Sequence, residues 1–148
     1  MKPIYLAALL LAACAAHPAD SAANAPASSA PPAAQAEQPP LAGQWRITRI
    51  GQTRPAPRSL LRFNPEAQRF NANVGCNTLG GSYQQQGHSL SFGPAFTTLM
   101  GCPQAIHLQE RRLAENVLPN VAAYRLANGR LELLDSANRV LLQAVPKR

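Results

Sequence analysis

The chain has 148 residues and carries 14 Lys and Arg against 7 Asp and Glu, a formal net charge of +7. That length suits one domain with one core behind any leader or linker. The basic side chains are dispersed, with no run longer than Arg111-Arg112, and no nucleic-acid-binding motif occurs, so a DNA or RNA reader is excluded as the first expectation. Met1 and Lys2 form a short positive start, Ile4 to Leu11 an apolar run, and Leu11-Ala12-Ala13-Cys14 closes it with small residues before a cysteine. This is the layout of an export signal over residues 1–13. The apolar run is too short to span a bilayer, which takes about 20 such residues.

Leu11-Ala12-Ala13-Cys14 resembles the lipobox of bacterial lipoproteins. The resemblance implies cleavage before Cys14, a diacylglycerol on its thiol and acylation of the new amino terminus. Several acyl chains give stable anchoring where one gives only marginal binding. It also implies an outer-membrane address in a two-membrane host, because Ala15 stands where an aspartate commonly retains lipoproteins in the inner membrane.

Residues 15–40 contain 11 Ala, 6 Pro and 3 Ser and no Val, Ile, Leu, Phe, Tyr or Trp. Such a segment cannot bury enough apolar surface to offset its ordering entropy, so 14–40 reads as a lipidated cysteine followed by a linker. Its reach is roughly 30 Å as a coil and about 80 Å extended. With the signal removed, the net charge is +6. A solvated basic surface is the first reading of that charge, and affinity for anionic lipid, lipopolysaccharide or another polyanion is the alternative.

Residues 41–148 carry the domain. Gln44 to Thr48 alternates and predicts a strand with Trp45 and Ile47 inward. Short strands are expected over Leu60 to Phe63, Arg69 to Val74, Gly80 to Gln85 and Ser89 to Phe92, punctuated by glycines. Ala95 to Met100 is apolar and reads as another strand or extended segment. Pro103 suits a first helical turn, and Gln104 to Leu118 predicts the single helix, with Ile106, Glu110, Leu113 and Val117 on one face. Asn128-Gly129 is a type I′ hairpin signal. It sets Leu126 opposite Leu131, Tyr124 opposite Leu133 and Arg125 opposite Glu132. Asp135 to Asn138 turns the chain into a last strand from Arg139 to Ala144. The fold class is mainly β (α+β): a small antiparallel β-barrel-like sheet with one packed helix at about 104–118.

With Cys14 lipidated, Cys76 and Cys102 remain as an even pair in an oxidising compartment, and a disulfide between them is expected. Three alternatives remain open. The pair could join His88 and His107 around a metal, although the spacing matches no standard zinc module. Cys102, ahead of a helix, could be a reactive thiol. Nucleophilic catalysis by Cys102 with His107 lacks an orienting Asp or Asn. Glu110 interrupts an apolar helical face; it reads as the partner of an arginine such as Arg111, Arg112 or one across the sheet, or as a carboxylate in a pocket. Tyr83 reads as core rather than as a recognition residue beside Ser82, Thr97 and Thr98 as hydroxyls that satisfy backbone, and Trp45 as a core anchor.

The order Leu41-Ala42-Gly43-Gln44-Trp45, Gly75-Cys76-Asn77, Gly80-Gly81-Ser82-Tyr83, Thr97-Thr98-Leu99-Met100-Gly101-Cys102 and then Glu110 resembles the META domain family, also called HslJ-like, across residues 41–148. Gly101 departs from the alanine or larger residue usual there. The resemblance implies a barrel-like fold with a helix, similar in shape to lipoprotein pilots of secretion systems. It also implies association with stress and drug tolerance in bacteria, and with secretion or virulence in some protozoa, without an established enzyme activity. The expected protein is therefore a monomeric, non-enzymatic lipoprotein of the outer membrane facing the periplasm. It needs no cofactor or metal, and it binds an envelope partner or an apolar ligand. Two alternatives stand beside it: an inhibitor of a host hydrolase such as lysozyme, against which the positive charge counts, and a pilot-like chaperone for an outer-membrane complex.

Overall fold

The computed structural model describes residues 39–148. The export signal, Cys14 and the linker up to residue 38 lie outside the described residues. Nine strands follow in chain order: β1 (Gly43–Ile50), β2 (Leu60–Asn64), β3 (Arg69–Asn73), β4 (Thr78–Gln86), β5 (Ser89–Phe92), β6 (Phe96–Thr97), β7 (Ala123–Ala127), β8 (Arg130–Leu134) and β9 (Val140–Pro146). A helix, α1 (Gln104–Arg111), lies between β6 and β7. It continues as π-helical turns over Arg112–Val117 and a 3₁₀ turn over Leu118–Asn120.

All pairings are antiparallel, and the strand order is β3-β2-β1-β9-β8-β7-β5-β4-β6. A further pairing of β3 with β4 makes the sheet ring-like. Its thinnest seam is β5 to β7. One registered pair, Ser89 with Ala123, joins them, with Tyr124 N–H donating to His88 O at 2.9 Å and Leu90 N–H to Ala122 O at 3.1 Å.

Period-two alternation turns one face of each strand inward. Leu61, Phe63, Phe70, Ala72, Leu79, Tyr83, Leu90, Leu131, Leu133, Leu142 and Ala144 fill the interior. Phe63 meets Tyr83 edge-on at 5.1 Å between ring centroids, and Phe70 meets Phe92 at 4.8 Å, arrangements that favour the ring quadrupoles. Tyr83 is core, as its alternation implied, and its hydroxyl donates to Leu41 O at 3.1 Å. From the helical segment Leu113, Val117 and Leu118 join the same core. The hairpin register is the one Asn128-Gly129 implied, with Leu126, Tyr124 and Arg125 opposite Leu131, Leu133 and Glu132. Asn128 and Gly129 both have positive φ, at 52° and 69°, as a type I′ turn requires.

Four features amend or extend the sequence expectations. The alternation in β1 breaks: a bulge between Ile47 and Arg49 brings Ile50 rather than Arg49 inward. Trp45 shares the inward face with its cross-strand neighbour Leu61 but is only half-buried, packed against the core. Gly80 and Gly81 do not begin a strand but sit inside β4. Aromatic rings cover both: a Cβ on Gly80 would overlap the Phe96 ring, and one on Gly81 would come 2.8 Å from the Phe70 ring. Finally, only Phe96–Thr97 of the 95–100 segment is strand. β5 already takes residues 83–86 of that edge of β4, leaving Leu79 and Gly80 for β6. Beyond them the chain departs, and Leu99 and Met100 are exposed.

The β8–β9 turn is organised by Asp135. One carboxylate oxygen accepts from the backbone N–H of Ala137 and of Arg139, each at 2.9 Å, and the other accepts from Arg139 Nε at 2.7 Å. Its carboxyl is held below the ordinary value first by the Arg139 backbone N–H, then by the Arg139 side chain and the Ala137 N–H, against the opposing effect of burial. A carboxyl whose folded value lies below its unfolded one stabilises fully above the ordinary carboxylate range. That contribution disappears as pH falls through the depressed folded value. Urea unfolding of Asp135→Asn is therefore expected to show lower stability than the parent at neutral pH, with the gap closing in acid. A gap independent of pH would contradict this.

Candidate functional site

The Gly75-Cys76-Asn77 turn between β3 and β4 is held from three sides. Asn73, at the end of β3, donates from Nδ2 to Cys76 O at 3.1 Å and to Asn77 O at 2.9 Å, and its Oδ1 accepts from Gly75 N–H at 3.1 Å. Gly75 adopts φ 133°, and a Cβ there would press on Ile106 of α1 at 3.0 Å, so the turn and the helix meet through this glycine. From α1, Gln109 Nε2 donates to Val74 O at 2.6 Å, while Gln109 Oε1 accepts from Ala56 N–H at 3.2 Å. The disulfide Cys76–Cys102 ties the turn to the segment that precedes the helix, with Cα atoms 6.1 Å apart.

Asn77 is the hub of this region. It is buried, and each of its polar groups is partnered. Its backbone N–H donates to Glu110 Oε1 at 2.5 Å and its Nδ2 to Glu110 Oε2 at 2.8 Å and to Cys102 Sγ at 3.1 Å. Its Oδ1 accepts from Thr98 Oγ1 at 3.0 Å and from Met100 N–H at 2.9 Å. Thr98 Oγ1 in turn accepts from Thr78 N–H at 3.0 Å. One side chain thereby joins the β3–β4 turn, the 97–102 segment and the helix.

Glu110 is buried as well. It pairs with Asn77 and not with an arginine, contrary to the first expectation; Arg111 bonds Glu115 across an exposed helical turn instead. The physical reason is direction. The face of α1 that carries Glu110 points to the β3–β4 turn, while Arg111 and Arg112 project to solvent. The metal alternative is not assembled either. Cys76, Cys102 and Glu110 offer ligand atoms within 4.8 Å of one another, but the sulfurs are bonded together and Asn77 occupies both carboxylate oxygens. His88 lies instead beside Tyr124, 6.0 Å between ring centroids, and His107 lies on α1. The disulfide likewise leaves Cys102 Sγ without a free thiol for a redox or nucleophilic role in this state.

Above the hub is a groove of about 320 Å³ between the 97–101 segment and α1. Leu79, Ala114 and the Asn77–Glu110 pair line it, Leu99 and Met100 lie along one wall, and His107, Arg111 and Glu115 along the other. Leu99 is 94% exposed and Met100 62%. Single exposed apolar residues are ordinary; an adjacent pair forming the wall of a groove is more informative. Sequence reasoning singled out Gly75-Cys76-Asn77 and Glu110 but missed both the hub role of Asn77 and the exposure of Leu99 and Met100. An asparagine that follows a cysteine directly and precedes a strand was the available signal for the first. The second had none, since an apolar pair reads as buried.

Residues 39–147 match the model of the META domain. No curated protein matches the chain. Among solved structures, the chain is similar to an NMR structure of a protein from Burkholderia xenovorans, at 21% identity over 71% of this chain and 82% of that one, with a TM-score of 0.54. A crystal structure of a DUF4847 family protein from Bacteroides vulgatus is similar at 14% identity, over 60% of this chain and 59% of that one, with a TM-score of 0.45. The Burkholderia structure supports the fold.

Proposed function

Because this chain belongs to the META domain family, we propose that it is a non-enzymatic lipoprotein of the outer membrane, anchored through Cys14. In this reading its groove takes up the apolar part of a small amphipathic ligand in envelope stress or drug tolerance. The observation that carries the binding part is the exposed Leu99–Met100 wall above a floor of Leu79 and Ala114. A volume of about 320 Å³ lies at the small end of ligand sites. The polar groups at the bottom already satisfy one another, so affinity would come from apolar burial, with the polar rim at His107, Arg111 and Glu115 orienting the ligand. The anchor part is supported by the Leu11 to Cys14 motif and by the linker composition. The non-enzymatic part is supported by the internal engagement of the two groups best suited to catalysis: the Cys102 sulfur in the disulfide and the Glu110 carboxylate on Asn77.

A neutral apolar fluorophore such as N-phenylnaphthylamine is expected to brighten on binding the purified protein. Leu99→Asp or Met100→Asp should bind it roughly tenfold more weakly, the loss expected when one large apolar contact is removed. Equal binding by parent and variants would move the site elsewhere. A hydrolytic or redox turnover that disappears in Cys102→Ser would overturn the non-enzymatic reading.

A further inference from the structure

Residues 39–148 contain 13 Lys and Arg but only 5 Asp and Glu. Those acids neutralise little of the surface. Glu115, Glu132 and Asp135 pair with Arg111, Arg125 and Arg139, and Glu110 is engaged by Asn77. Among the described residues, ten basic side chains therefore have no ion-pair partner.

Four of the ten converge. Arg46 from β1, Arg58 from the turn before β2, and Lys147 and Arg148 after β9 line one open cavity of about 870 Å³ beside the Asn128-Gly129 hairpin tip. The wall between them is apolar: Leu60, Val145 and Pro146. Antiparallel pairing brings them together, because Arg46 faces Leu60 on one side and Val145 on the other. Arg58 holds a left-handed φ of 65°, uncommon for a non-glycine residue. The turn is braced by Ser59, whose N–H and hydroxyl both donate to Ala56 O, at 3.3 and 2.7 Å.

We infer that this cavity docks the domain onto the phosphate-bearing headgroups of an anionic lipid surface. Arginine guanidinium groups match phosphate oxygens with two parallel hydrogen bonds, and the apolar wall suits the glycerol and upper acyl carbons beneath a headgroup. Lys147 N–H donates to Gln44 O at 2.9 Å and Lys147 Nζ lies 3.3 Å from Gln44 Oε1, so the cavity sits next to the start of β1. In a chain anchored through Cys14, the tether would keep this cavity within reach of the bilayer. This last step rests on the proposed anchor; the recognition chemistry does not.

The test uses a water-soluble chain of residues 15–148, which retains the nine strands, the helix and the buried core. It is sedimented with vesicles of phosphatidylcholine, alone or with phosphatidylglycerol. Binding is expected only with the anionic lipid. Arg46→Gln with Arg58→Gln should weaken it roughly thirtyfold, and Arg46→Lys with Arg58→Lys should weaken it less. Arg49→Gln with Arg54→Gln, the same charge removed outside the cavity, should leave most of the affinity. Equal losses from the two glutamine pairs would mean diffuse attraction and overturn the inference, as would absence of binding to anionic vesicles. Displacement by inorganic phosphate, but not by chloride at matched ionic strength, would assign the cavity to free phosphate instead. Since this chain lacks Cys14, failure here leaves the anchor and the apolar groove standing, and failure of either of those leaves this result unchanged.

Discussion

Asn77→Ala is expected to lower the unfolding free energy by about 3 kcal/mol, the range found when a buried charged group loses its partner. Alanine removes the Nδ2 donor and the Oδ1 acceptor together. Glu110 keeps only the backbone N–H of residue 77, and Thr98 Oγ1 and Met100 N–H lose their acceptor. Asn77→Asp sharpens the test. It preserves the acceptor for Thr98 and Met100 but places a second carboxylate where Nδ2 stood, 2.8 Å from Glu110 Oε2, so a larger loss is expected than for alanine. Urea unfolding followed by the single tryptophan, Trp45, reads both. A loss well under about 1 kcal/mol for Asn77→Ala, no more than an average exposed hydrogen bond, would remove Asn77 from the centre of the site.

Cys76→Ser with Cys102→Ser is expected to cost about 3–4 kcal/mol. The disulfide closes a loop spanning 26 residues, and the chain-entropy estimate for such a loop falls in that range. For a domain whose total stability is about 5–15 kcal/mol, this is a large share. Chemical reduction should give a similar shift in the parent and none in the double serine variant. The cost should not add to that of Asn77→Ala. Both changes release the same turn, and Asn77 Nδ2 also bonds Cys102 Sγ at 3.1 Å, so the combined loss should fall short of the sum by 0.5 kcal/mol or more, the coupling expected of residues in contact. Full additivity would show that the disulfide and the asparagine hold separate parts of the fold.

The antiparallel sheet, the helix at 104–118 and the 124–133 hairpin were legible because each rests on a local rule. Alternation sets which side of a strand is buried, and Asn128-Gly129 forces one turn type and hence one register. Cys76 and Cys102 were legible as a pair for a similar reason: the export-signal reading of residues 1–13, with Cys14 set aside for lipidation, left two cysteines where oxidation is expected. Family membership followed from motifs whose order the tertiary structure explains. The Gly75-Cys76-Asn77 turn, Cys102 and Glu110 are separated along the chain, but Cys76 and Asn77 join Cys102 and Glu110 in one network.

Other features depended on contacts between distant segments. Whether Glu110 met an arginine or an amide was decided by the docking of α1 on the β3–β4 turn, which no spacing along the helix specifies. Leu99 and Met100 fell in an apolar segment read as strand or extended chain, yet β4 has its edge already occupied by β5 and β6 and leaves them outside. Arg46, Arg58, Lys147 and Arg148 are dispersed in sequence and looked like diffuse charge; antiparallel pairing of β1 with β2 and β9 gathers them around one cavity. Local pattern therefore determined the elements, most of their inward faces and the cysteine pair. The groove, the Asn77–Glu110 network and the cationic cavity were decided only when the closing sheet brought together residues between which the sequence carries no periodic relation.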